Sequence, residues 1–393
     1  MQGAWECVSL PVLYTPAMPP TYFPPPASSE DPRGAWQRRA PADAGFDPAR
    51  LEAAVQFAID TEIDLPTDVS LIVGRNDTPP YNSVLGPTKP RGPAGGGVIR
   101  GGHLVAEWGQ PDRVDMTFSA TKSYLATTVG LAQDRGMLDS MDERVCERIH
   151  DGGFDSDHNA QITWKHLLQQ TSEWQGTLFD RPDTVDHNRS VTGTSTSSGE
   201  AQAVKGDLRE LRTPGTFYEY NDVRVNRLGL CALRIWKEPL PDVLRREIMD
   251  PIGASPDWAW HPYENSWVDV DGVRMPSVPG GAHWGGGLFI SALDHARFGL
   301  LMLNRGQWNG RRLLSDAWIT EASTPSEVND RYGYMWWLNT GRQLYSDAPE
   351  SAFAAHGAGG NAVYIDPEHD LVVVTRWAGD RSEVVNRVLA ALI

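Results

Sequence analysis

At 393 residues, with 40% of them apolar and 22% charged, the chain is long enough to bury a core as one large domain or two intimate ones. Its 35 Lys and Arg against 51 Asp and Glu give a formal net charge of −16, which repels phosphate backbones and anionic lipid surfaces alike, so neither nucleic acid nor a membrane is expected as a partner. Cys7, Cys146 and Cys231 are scattered and form no C-x-x-C pair, so they are expected as free thiols.

The first stretch, MQGAWECVSLPVLYTPAMPPTYFPPP, has no basic n-region and no long apolar run, so cytoplasmic localisation is the expectation. Residues 1–45 are rich in Pro and lack periodicity. They suggest an extended arm, and Trp5, Tyr14, Tyr22, Phe23 and Trp36 suggest that it packs on something. FDPARLEAAVQFAID predicts a helix: Asp47 is a good N-cap, Pro48 suits the first position, and Leu51, Val55, Ala58 and Ile59 form one stripe. A strand is expected over Asp68–Val73 and further strand in GGGVIRGGHLVAEWG, after a Pro- and Gly-rich insertion between Asp77 and Gly97.

Ala120–Gly136 predicts a helix that puts Ser119 at its first turn. ITWKHLLQQ, VNRLGLCALRIWK and LPDVLRREIMDPIG are helix-like, and Thr184–Glu200 is loop-like. GGGLFIS reads as a strand, ALDHARFGLLMLNRG as a helix, AVYIDPEHDLVVVTRW as a strand hairpin and SEVVNRVLAALI as a terminal amphipathic helix, while the aromatics of RYGYMWWLN suit a core strand. The organisation expected is an α/β domain from 46–138 and 263–393 sharing one sheet, with a mainly helical domain, 139–262, inserted between its halves.

Within TFSATKS, Ser119 and Lys122 lie three residues apart, which on a helix puts amine and hydroxyl on one face. Serine is a poor nucleophile until a neighbour handles its proton, and a desolvated lysine is one of the few side chains able to do so. S-x-x-K alone is a weak signal, yet of the five lysines only Lys122 has a serine three residues before it. No H-E-x-x-H, G-K-[ST] ending or G-x-S-x-G occurs, so neither a metal site, a phosphate loop, a cofactor nor an α/β-hydrolase triad is expected.

FSATKS taken with ITWKHLLQQTS, PGTFYEYNDVRVNRLG, GGGLFISALDHARFGLLML and HGAGGNAVYIDPEHDLVVV resembles the serine β-lactamase-like family: penicillin-binding proteins, class C β-lactamases, family VIII-type esterases and 6-aminohexanoate-oligomer hydrolases. The matches run in family order from about Phe46 to the end of the chain. The resemblance implies a β-lactamase/transpeptidase-like α/β (α+β) fold, an antiparallel sheet flanked by helices plus an inserted helical domain. It also implies a serine hydrolase working through an acyl-enzyme. On it, Ser119 matches the nucleophile, Lys122 its partner, and Tyr220 the proton-relaying tyrosine, a role in keeping with the mobility of a phenol proton near an ammonium.

Two positions depart from the family pattern. Asp222 stands where an amide is usual, and if it faces Lys122 it should favour the ammonium; alternatively it caps or pairs locally. The third motif falls at Ala355-His356-Gly357, or begins at His356, and contains no cation to grip a lactam carboxylate. By the first register Ala358 N–H joins Ser119 N–H as oxyanion donor, and His356 and Gly357 line or support the cleft. Trp174 either walls the acyl pocket or packs, and His283 is a cleft-edge candidate. His166 is read as structural. A carboxylic ester is the first expected substrate, an amide, D-peptide or oligoamide the second and a β-lactam the third; an acyltransferase, a non-turnover acyl-binding protein and a homo-oligomer stay open.

Overall fold

The computed structural model describes residues 21–31, 35–189 and 204–393. Cys7, Trp5 and Tyr14 lie outside the described residues, as does 190–200 of the expected Thr184–Glu200 loop.

One six-stranded antiparallel sheet organises the chain. Its strands are β1 (Gly95–Arg100), β2 (His103–Trp108), β3 (Trp337–Leu338), β4 (Phe353–Gly357), β5 (Asn361–Asp366) and β6 (Leu371–Arg376), in the order β3-β4-β5-β6-β1-β2. The pairing of β1 with β6, Gly95 opposite Arg376 through Arg100 opposite Leu371, joins the early and late parts of the chain.

Because side chains alternate across a strand, each strand feeds two cores. Val98, Tyr364, Leu371 and Val373 pack under α1 (Pro48–Asp60) and the C-terminal helix, with Leu51, Ala58, Val385 and Val388. Ile99, Val363, Val372 and Val374 face the opposite core with Leu125, Val129, Phe298 and Leu301 from α2 (Thr121–Asp134) and the helix Ala292–Leu303. At roughly 1.5–3 kcal/mol per fully buried large aliphatic side chain, these two layers are the main stabilising term.

Local chemistry sets the helix starts. Asp47 accepts from Ala49 N and Arg50 N ahead of Pro48, as the sequence predicts. The helix α3 (Asp222–Trp236) is capped by Asn221, whose side chain accepts from Val223 N and Arg224 N. The expected strand Asp68–Val73 is instead a 3-10 turn, Val69–Leu71: the Asp68 carboxylate accepts from Ser70 N and closes a turn that outweighs the β-branched composition. In RYGYMWWLN only Trp337 joins Leu338 in a strand; Tyr332, Tyr334 and Trp336 are buried in the turn before it. LPDVLRREIMDPIG forms a short helix, Leu240–Leu244, that widens into a π turn over Arg245–Met249.

The described part of the arm packs on the body. Tyr22 N donates to Gly101 O, Arg297 donates to the carbonyls of Pro24 and Pro25, and Trp36 is buried beneath Arg297. Among the described residues no helix is long and apolar enough to cross a membrane. Cys146 and Cys231 are free thiols.

Candidate active site

Ser119 sits in the 3-10 turn Phe118–Ala120 that runs straight into α2. Phe118 holds a left-handed conformation, φ 51°, which for a bulky residue costs energy that the surroundings must offset. They do so from several directions: the Phe118 ring meets Trp377 edge-on at 6.1 Å, its carbonyl accepts from Thr121 Oγ1 at 2.6 Å, and Thr117 N donates to Leu288 O at 3.0 Å. The turn is further tied through His295, bonded to Thr117 Oγ1 and to Tyr124 Oη at 2.7 Å each. Burial, with Arg376 nearby, holds the His295 ring well below its ordinary titration range, so it serves here as a neutral bridge.

One turn on, the Lys122 ammonium is 1% exposed. It donates to Ser119 Oγ at 2.9 Å and to Asp222 Oδ1 at 2.5 Å, and lies 4.6 Å from the centroid of the Tyr220 ring. Burial alone would depress its proton affinity; the Asp222 carboxylate, with Tyr220, outweighs burial and the net shift is upward. Asp222 answers in kind. Burial disfavours its anion, but Arg189, Lys122 and His283 hold it well below the ordinary carboxylate range. Arg189 pairs with Asp222 Oδ2, and His283 Nδ1 lies 3.3 Å from the same oxygen. Asp222 therefore does face Lys122, and the cap of α3 is Asn221.

Tyr220, 2% exposed, stacks on Trp337 at 5.9 Å, and Trp337 stacks on His356 at 5.8 Å. Among the described residues no hydrogen bond joins the Tyr220 hydroxyl to Ser119 or Lys122; the ring face is what meets the ammonium. Two cavities meet at Ser119. One, of about 290 Å³, is lined by Ser119, Tyr220, His356, Gly357, Ala358 and Arg381; the other, of about 200 Å³, by Phe118, Ser119, Ile72, Asp222, His283 and Ala358. A larger hollow of about 470 Å³ beside Lys165, His166 and Glu321 does not reach the serine, so size alone does not place the site.

Ala358 thus borders the same space as Ser119 on both sides. Gly357 brings β4 against the turn that carries Ser119, where an added Cβ would lie 2.1 Å from Thr117 O. His356 bonds Tyr345 Oη at 2.6 Å, and burial, with Arg381 nearby, keeps its ring well below the ordinary range, so it acts as a neutral wall.

Trp174 is a correction. It does not wall the cleft: its ring is buried in the core, donating from Nε1 to Gly153 O at 2.7 Å under Arg227. A second correction concerns charge. β4 carries no cation, but Arg381, from the first turn of the C-terminal helix Arg381–Ala390, enters the 290 Å³ cavity, where it donates a long 3.4 Å bond to Gly357 O.

Sequence reasoning also missed Asp77, Arg189 and Lys205, which no local motif marks. Carboxylate oxygens of Asp77 and Asp186 and a ring nitrogen of His283 lie within 4.8 Å of one another, close enough to share a cation. The Lys205 ammonium already sits among them, paired with Asp77, 3.0 Å from Asp186 and 3.4 Å from His283 Nε2, and supplies the positive charge a cation would bring.

The defining feature of the site is a buried lysine bonded to a serine hydroxyl where two cavities meet. The profile of the Beta-lactamase family matches residues 89–393, and the chain belongs to that family of serine hydrolases. The 6-aminohexanoate-dimer hydrolase of Paenarthrobacter ureafaciens is 23% identical over 323 residues, covering 75% of this chain and 77% of the relative. A penicillin-binding protein homologue from Caulobacter crescentus superposes with a TM-score of 0.56 at 17% identity, covering 88% of this chain and 99% of its own. A D-stereospecific amidohydrolase from Streptomyces sp. gives 0.54 at 16%, covering 87% and 98%. At such identities the two structures establish the β-lactamase/transpeptidase-like fold.

Proposed function

We propose that Ser119 is the nucleophile of an acyl-transfer hydrolase and that Lys122 and Tyr220 manage its protons. The observation that carries this is the Lys122 ammonium shared between Ser119 Oγ and Asp222. Held as an ammonium, Lys122 donates to Ser119 and cannot take its proton. That task falls to Tyr220, whose ring lies beneath Lys122 and Arg189. Ser119 Oγ bonds to the carbonyl carbon as its proton passes to Tyr220, and the oxyanion lies toward the N–H groups of Ser119 and Ala358. Collapse expels the alcohol or amine, which takes the proton back from Tyr220, and water then repeats the sequence to free the acid.

The expected preference for a carboxylic ester rested on a third motif without a cation. Arg381 supplies one and has no carboxylate partner among the described residues. The substrate proposed first is therefore an open-chain amide or ester bearing a carboxylate within reach of Arg381, the class to which the substrate named for the 6-aminohexanoate-dimer hydrolase belongs. A neutral carboxylic ester is second.

Intact-mass spectrometry with a fluorophosphonate, on wild type and Ser119→Ala, tests the nucleophile: a single adduct absent from the variant is expected, and no adduct in either would end this proposal. Turnover of a p-nitrophenyl ester and a p-nitroanilide, each with and without a terminal carboxylate, tests the substrate. Arg381→Ala should raise KM about tenfold for the charged members and leave the neutral ones unchanged.

A further inference from the structure

A line of polar contacts, three hydrogen bonds and one ion-pair contact, runs from Ser119 along the wall of the cleft. From Ser119 Oγ it passes to Lys122 Nζ at 2.9 Å, to Asp222 Oδ1 at 2.5 Å, from Asp222 Oδ2 to His283 Nδ1 at 3.3 Å, and from His283 Nε2 to Asp77 Oδ2 at 2.8 Å. We infer that His283 and Asp77 are positioning residues for the nucleophile, fixing through Asp222 the place and charge of Lys122. The inference rests on the proposed role of Ser119 and extends it to residues more than 40 positions upstream and 160 downstream.

The geometry of His283 is the reason. Each ring nitrogen faces a carboxylate oxygen, so both bonds exist together only when both nitrogens carry hydrogen. The Asp77 side chain is fully buried and is held by Lys205 and by Trp284 Nε1 at 2.8 Å, while its backbone N donates to Gly74 O at 2.9 Å. It cannot swing away to suit His283; His283 must suit it. With one face of Asp222 fixed by His283 and Arg189, its other oxygen is aimed at Lys122. Gly281 closes the remaining side, where a Cβ would fall 2.9 Å from Lys122 Nζ and 3.2 Å from Asp222 Oδ1.

The charges that face His283 come from every neighbouring segment: Asp77 from the Pro- and Gly-rich insertion, Asp186 and Arg189 from the 183–189 turn, Lys205 beyond it, and Asp222 from α3. Behind its neighbour Trp284 lies Arg181, 5.3 Å from that ring. The three carboxylates Asp77, Asp186 and Asp222 are matched by the cations Lys122, Arg189 and Lys205, and His283 is the side chain that touches two of those carboxylates at once.

The test is the rate constant for acylation of Ser119 by a p-nitrophenyl ester, followed by its burst from roughly pH 5 to 9, in wild type, Asp77→Asn, His283→Ala and His283→Gln, with thermal unfolding of each. Asp77→Asn and His283→Ala should lower the acylation rate about tenfold to a hundredfold with KM changed less than about threefold. His283→Gln, which keeps one donor, should recover part of the rate. Folded variants with wild-type rates and the same pH profile would overturn the inference while leaving Ser119 as nucleophile. A wild type that is not acylated at Ser119 at all overturns both. Should Asp77→Asn fail to fold, the two His283 variants decide the matter alone.

Discussion

A lysine buried without a counter-ion gives up its proton near neutral pH; Lys122 keeps its own because Asp222 is 2.5 Å away. The pair bears on stability with two signs. Asp222, depressed, contributes above about pH 4 and loses its contribution as pH falls through its folded value; Lys122, raised, contributes below about pH 10.4 and loses it as pH rises through its own. In Asp222→Asn the burial stays and the anion goes, so Lys122 should titrate lower and the pH–rate profile for ester turnover should move to lower pH, with kcat at neutral pH down at least about tenfold. An unchanged profile would show that Asp222 does not set the Lys122 charge. Ser119 and Lys122 were singled out by their spacing on one helix turn, and Tyr220 only by the resemblance of PGTFYEYND to a family motif. Asp77, Arg189, Lys205 and Arg381 were not, since nothing within a few residues of any of them records that the fold gathers them beside one cleft.

At the scale of elements, the turn that carries Ser119 exists because two other segments press on it. β4 approaches so closely at Gly357 that a methyl group would meet the Thr117 carbonyl, and the turn carries Phe118 in its left-handed conformation. Gly357→Ala should therefore shift the turn rather than the sheet, with acylation falling about a hundredfold and the unfolding temperature by only a few degrees; an unimpaired variant would mean that the strand can yield. The loop bearing Tyr220 is held differently, by ions. Glu173 accepts from Arg209, Arg224 and Arg212 N, and although burial opposes its charge these bonds bring its carboxyl down to about 2. A depressed carboxylate stabilises above its unfolded value, so this contribution is whole above about pH 4.3 and is lost as pH falls toward 2. Glu173→Gln should destabilise by about 3–5 kcal/mol at neutral pH and flatten the acid side of the stability curve between those limits. Equal acid midpoints for the two proteins would contradict the assignment. No periodicity signals such a network. For the same reason Trp174, next in sequence, could be read as cleft wall or core, and its burial against Gly153 decides for the core.

For the whole molecule, the sequence pattern of αβ units at both ends already implied a sheet shared between them, and the register of β1 against β6 is that implication realised. What the pattern could not convey is that the last helix does two jobs. Its apolar side, Val384, Val385, Val388 and Leu389, seals one face of the sheet together with α1, while Arg381 in its first turn reaches the cavity beside Ser119. The two jobs separate by experiment. Ending the chain at Gly379 uncovers Val373, Tyr364 and Leu371 as well as the inner side of α1, and the loss of several buried aliphatic side chains at roughly 1.5–3 kcal/mol each exceeds the stability of an ordinary domain. The truncated protein should be insoluble or unfolded by circular dichroism. Arg381→Ala removes only the cation, leaves the sealing face intact, and should unfold within a few degrees of the parent while losing its preference for carboxylate-bearing substrates. A folded truncation would show that the sheet is sealed without this helix, and an Arg381→Ala protein as unstable as the truncation would place the arginine in the scaffold rather than in the cleft.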